Sequence, residues 1–95
     1  MDLNKSLRLA IDTGKVSVGA NQSNKAITTG TAKLVILSSN CPEETRAAAK
    51  SGETPVYSFS GNNSVLGAAC GKPFPVSIIA ILDGGKSDIL NLKAN

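Results

Sequence analysis

The stretch Leu66-Gly67-Ala68-Ala69-Cys70-Gly71-Lys72-Pro73-Phe74-Pro75 leads directly into the apolar run Val76-Ser77-Ile78-Ile79-Ala80-Ile81-Leu82. Its reading decides the fold. Residues 64–70 form a short helix, and Gly71 falls where a helix commonly ends in a left-handed residue. Pro73 and Pro75 have fixed φ and push Lys72 and Phe74 toward extended backbone. The apolar run then reads as a strand over 76–82. Phe74 therefore lies on a stiff loop between two packed elements, outside any core pattern.

The same alternation continues in both directions. Leu3, Leu7, Ala10 and Ile11 recur at helical spacing, so residues 3–13 read as an amphipathic helix ended by Asp12-Thr13-Gly14. Val16, Val18 and Ala20 alternate as a short strand, Asn21 stands at a helix-capping position, and Gly30 closes that second helix. Leu34-Val35-Ile36-Leu37 is continuously apolar, the pattern of a strand covered on both faces. In the helix expected over 41–51, Pro42 fits the first turn, Glu43 and Glu44 complement the positive end, and Lys50 the negative end. Gly52 stops it. Pro55 to Phe59 read as a strand, Gly61 to Ser64 as a turn, Asp83 to Lys86 as another, and Ile89 to Leu92 as a short edge strand. Strands alternating with helices predict an α/β fold, a three-layer α/β/α sandwich around a mixed, mainly four-stranded sheet. The 95 residues make one domain.

Composition narrows the chemistry. There is no histidine, which excludes Ser-His and Cys-His pairs and histidine metal sites. Cys41 and Cys70 stand apart in sequence and read as reduced thiols; no metal or cofactor is expected. Neither a Walker loop nor a G-x-G-x-x-G string is present. Glu43 and Glu44 are explained by the helix dipole, and Asp83 and Asp88 by the glycine turn they bracket. No apolar segment reaches the length of a membrane span, and the N-terminus lacks a signal-peptide core, so a cytoplasmic location is expected. The net charge of +3 and a pI of about 9.1 suit an RNA partner through a shaped site, since the positive charges are scattered.

Two segments could form such a site. In Gly19-Ala20-Asn21-Gln22-Ser23-Asn24-Lys25, Gly19 allows close approach and the amides of Asn21 and Gln22 suit base edges. Lys25, one turn on, shares their face. Taken alone, this segment reads first as an ordinary helix cap. In Lys72-Pro73-Phe74-Pro75, a rigid aromatic can stack on an unpaired base; equally, Phe74 could fold back into the core.

Together these residues resemble a known family. The likeness runs from Thr13-Gly14-Lys15 to Ser87-Asp88-Ile89-Leu90. It is most specific at Gly30-Thr31-Ala32-Lys33, Ser39-Asn40-Cys41-Pro42, Thr54-Pro55-Val56-Tyr57, and Leu66-Gly67 through Gly71-Lys72 to Asp83-Gly84-Gly85. The chain resembles the kink-turn RNA-binding ribosomal protein superfamily that includes the seven-Ae proteins, and within it the thirty-e branch of archaeal and eukaryotic large ribosomal subunits. The resemblance implies a non-catalytic ribosomal RNA-binding protein, neighboured by other ribosomal proteins, that grips a kinked RNA with tandem sheared G·A pairs. By this likeness Gly19, Asn21, Lys25, Asn40, Lys72, Phe74 and Val76 are the RNA-binding residues; Gln22 joins them as a second amide for guanine edges and Lys33 as a further cation for phosphates. A kink opens a groove that regular A-form RNA keeps too narrow to read. Thirty-e sequences more often carry Lys, Arg or Gln at position 21, a basic residue at Thr28 and an acidic one at Val65, and their helix after Asn40 is about one turn longer. A guide-RNA modification particle and a protein-interaction module of the same fold are the alternative roles.

Overall fold

The computed structural model describes residues 3–19, 23, 25, 27, 30–50, 54–87 and 89–91. Helix α1 spans Leu3–Thr13, strand β1 Lys15–Val18, β2 Leu34–Leu37, helix α2 Glu43–Lys50, β3 Val56–Ser58, helix α3 Asn63–Ala69 and β4 Ile78–Asp83. Ser23, Lys25 and Ile27 have helical backbone between β1 and β2. The strands form one sheet in the order β1-β4-β2-β3. Strand β4 runs antiparallel to both β1 and β2, and β3 is parallel to β2. The expected mixed four-stranded sheet is present.

The pleat sorts side chains to two faces. Leu34 and Ile36 of β2 lie opposite Ile81 and Ile79 of β4. They bury against Leu7 and Ala10 of α1 and Leu66 and Ala69 of α3. Val35 and Leu37 point the other way and pack with Ile78, Cys41, Ala49 and Val56, with Ile27 at the margin. Helices thus cover both faces, which is why β2 is buried at every position. Full burial of each Leu or Ile stabilises by roughly 1.5–3 kcal/mol, and β2 and β4 together supply eight buried apolar positions, Leu34 to Leu37 and Ile78 to Ile81.

Element ends moved by one or two residues from their sequence limits, as the first and last turns of elements do. One expectation is corrected. Ile89 to Asn91 form a 3₁₀ turn, not an edge strand. The Ser87 hydroxyl accepts from the Ile89 N–H and donates to the Ser6 carbonyl of α1, which curls the segment onto the helix. Ile89 is thereby fully buried in the α1 layer. Ala20, Gly52 and Leu92, named above at element ends, lie outside the described residues.

Candidate nucleic-acid interface

Strands β1, β2 and β3 all finish at the end of the sheet where β4 begins, because β4 is antiparallel to its neighbours. The Gly19 N–H donates to the Ile78 carbonyl (3.1 Å), the Ser38 N–H to the Ser77 carbonyl (2.9 Å) and the Phe59 N–H to the Leu37 carbonyl (2.7 Å). Four connections therefore converge on one end: those after Gly19, Ser38, Phe59, and that before Val76.

Asparagines tie this end together. The Asn40 side-chain oxygen accepts from the Asn63 N–H (2.8 Å) and from the Ser38 hydroxyl (3.1 Å). The Asn40 amide donates to the Asn63 side-chain oxygen (3.2 Å). Asn62 caps α3, its side chain accepting from the Val65 N–H (3.0 Å), and the Val76 N–H donates to the Asn63 carbonyl (3.0 Å). These bonds satisfy helical N–H groups that have no partner within the helix and fix α3 against β2 and the start of β4.

The loop after α3 is held at both ends. Gly71 has a φ of +74°, the left-handed conformation expected of a helix stop. The Lys72 N–H donates back to the Gly67 carbonyl (3.0 Å). Val76 is buried, so its side chain anchors the loop from below. Between these anchors Phe74 is 52% exposed, with Pro73 and Pro75 exposed on either side and Lys72 half-buried beside it. Lys72, Phe74, Ser64 and Ala68 border a shallow depression of about 310 Å³. The choice left open by sequence, loop tip or core, falls to the loop tip.

The remaining residues divide clearly. Gly19, with φ of +100°, and Asn40 lie at this end of the sheet. Lys25 is exposed on the helical segment that starts there; the Ser23 N–H donates to the Gly19 carbonyl, and Lys25 is only about 3 Å farther along the axis. Asn21 and Gln22 lie outside the described residues. Lys33 is exposed but precedes β2, roughly 16 Å of extended chain from Ser38. It therefore stands at the opposite end of the sheet from Asn40 and Phe74.

The site is chemically plain. Among the described residues no group of three His, Cys, Asp or Glu side chains could hold a metal ion. No helix among them is long and apolar enough to cross a membrane. Cys41 and Cys70 are free and buried. Burial raises the Cys41 thiol and pushes the Cys70 thiol up to about 11, against the opposing pull of Lys72 and Arg8. Both are neutral near pH 7, the unreactive form of a thiol. The arrangement brings together an aromatic face, cations and a backbone fixed by hydrogen bonds.

The pattern described as the Ribosomal protein L7Ae/L30e/S12e/Gadd45 family matches residues 1–91. The chain belongs to that family. It is 49% identical over 94 residues to the large ribosomal subunit protein eL30 of Methanoregula boonei, spanning 98% of this chain and 97% of the relative. It is 45% identical over 92 residues to the protein of that name from Methanothrix thermoacetophila, spanning 97% and 89%. A solved structure described as a protein with unknown function from Bacillus halodurans is similar with a TM-score of 0.78 at 32% identity. That match covers 95% of this chain and 93% of the other.

In this member of the L7Ae/L30e/S12e/Gadd45 family, three residues around the site escaped sequence reasoning. Asn62 and Asn63 looked like turn residues. Asn62 stands three residues before Val65, a capping spacing that could have marked it, but nothing local ties Asn63 to Asn40. Arg8 lay unnoticed on α1; folding brings its guanidinium against the backbone of Gly71 at the base of the loop.

Proposed function

We propose that this chain is a non-catalytic RNA-binding component of the large ribosomal subunit, acting in the cytoplasm. Through the sheet end built by Gly19, Asn40 and the 71–75 loop, it recognises a kinked RNA with tandem sheared G·A pairs. The observation that carries this reading is the outward Phe74 beside Lys72 on a loop pinned to α3. A fixed, half-exposed aromatic next to a cation is suited to stacking on an unpaired base while a phosphate is neutralised. Relatives that align over nearly their full length and carry the name of a large-subunit protein support the ribosomal setting.

In this reading Phe74 packs on a base at the kink, and Lys25 and Lys72 neutralise phosphates. Asn21 and Gln22 contact guanine edges. Gly19 lets the RNA backbone approach, and Asn40 and Val76 hold the surface in shape. Lys33, at the far end of β2, is left out of the contact set. Neighbouring ribosomal proteins are the other expected partners. Filter binding of a kink-turn RNA and a straight duplex of equal length tests the proposal. Preference for the kinked RNA is expected. Equal, weak binding to both overturns it in favour of a protein-interaction module.

A further inference from the structure

The loop depression is not isolated. A second groove, of about 390 Å³, runs between α1 and α3 and is lined by Asn4, Lys5, Arg8, Val65, Ala68 and Ala69. Ala68 borders both hollows, so the two adjoin at that residue. Arg8 joins them from the side. Its guanidinium carbon lies 2.8 Å from where a β-carbon on Gly71 would stand, at the base of the Lys72–Phe74 loop. Lys5 is three residues before Arg8 on the same helix, so the two side chains are neighbours on one face.

We infer that this α1/α3 groove carries the RNA strand where it leaves the kink, with Lys72, Arg8 and Lys5 tracking successive phosphates. The inference rests on the RNA-binding reading above and adds a second contact surface to it. No carboxylate lines either hollow among the described residues; Asp12, one turn beyond Arg8, is not part of the lining. Val65, 48% exposed, and the exposed Ala68 give the groove an apolar floor under a cationic rim. That combination suits sugar and base faces below and phosphates above. Adjacency to the Phe74 loop favours RNA over an acidic protein segment, because a strand stacked on Phe74 passes beside the groove at Ala68 and Arg8.

The test uses two RNAs: a minimal kink-turn, and the same kink-turn with a single-stranded extension. It compares the wild-type chain with Lys5→Ala and with Val65→Glu, both in the groove and away from the loop. Val65→Glu removes no cation and places a carboxylate at an exposed position, so it keeps the test valid if Lys5→Ala folds poorly. Wild type should bind the extended RNA several-fold more tightly, with a salt dependence steeper by about 1–2 in log–log slope, since each neutralised phosphate of a single strand contributes about 0.7. Both variants should lose that increment and keep wild-type affinity for the minimal RNA. Equal wild-type affinity for the two RNAs, or variants that weaken both alike, overturns the groove assignment and leaves the loop site standing. Failure of wild type to bind either RNA removes the RNA-binding reading itself. Variants that spare both RNAs but abolish binding to a ribosomal protein neighbour assign the groove to a protein and overturn the inference.

Discussion

The carbonyl oxygen of Phe74 lies 2.2 Å from where a β-carbon on Gly67 would stand, so the recognition loop crosses α3 at a point that only glycine leaves open. A mid-helix glycine ordinarily costs about 1 kcal/mol relative to alanine. Here Gly67 is buried and its missing side chain is the space through which the loop backbone passes. The Lys72 N–H donates to the carbonyl of the same residue, so Gly67 is both the clearance and the anchor for the loop.

Gly67→Ala should therefore destabilise the fold by about 1–3 kcal/mol despite its better helix propensity, because overpacking forces the backbone to shift. Chemical denaturation measures the loss. RNA binding at a temperature where the variant is folded should also weaken, since Phe74 is displaced. A variant as stable as wild type would show that the loop moves aside freely.

Phe74→Ala should separate binding from folding. The ring is half exposed, so stability should change by no more than about 0.5 kcal/mol. Affinity for a kink-turn RNA should fall by about 1–3 kcal/mol if the ring stacks on a base. Binding titrations and thermal denaturation on the same sample check both halves of the expectation.

Lys25→Ala and Lys33→Ala should differ although both remove one exposed positive charge. Lys25 lies at the recognition end, and its loss should flatten the salt dependence by about 0.7–0.9 in log–log slope. Lys33 lies at the opposite end of β2, and its loss should leave the slope unchanged. Similar slopes for the two variants would contradict a localised site.

Asn40 and Asn63 exchange two hydrogen bonds, one involving the backbone N–H that opens α3. A double-mutant cycle with Asn40→Ala and Asn63→Ala should show a coupling of about 0.5–3 kcal/mol in folding stability. Additive losses would mean that the pair is incidental to the fold.

The Cys70 thiol gives a pH signature. Burial raises it from its ordinary 9.0 to about 11, so the fold favours the neutral form. The unfolded chain loses this proton first as pH rises. The thiol's contribution is therefore fully present below about 9 and declines between about 9 and about 11. Denaturant midpoints across that interval should fall for wild type and fall less for Cys70→Ala.

The layer order was legible because Leu34–Leu37 and Ile78–Leu82 are apolar without a break, which a sheet covered on both faces requires. The glycine stop at Gly71 and the capping chemistry around α2 and α3 are local, and local chemistry survives in sequence. The tail at Ile89 was misread because its apolar residues suit a strand, whereas a hydroxyl distant in sequence, Ser87 reaching Ser6, turns it onto α1. Lys33 was grouped with the site as a cation for phosphates; the direction of β2, visible only in its pairing with β4, puts it at the other end of the sheet. Arg8 was invisible for the same reason, since its proximity to Gly71 exists only after α1 and α3 pack on one face.

Among the described residues, β4 is the last strand and the only one that pairs with both β1 and β2. Until Ile78 to Asp83 are in place, nothing in the sheet joins Gly19 to Asn40. That end of the sheet therefore depends on β4: without it β2 can still pair with β3, but β1 has no partner in the sheet. The RNA surface proposed above is thus completed only by the strand that comes last among those described.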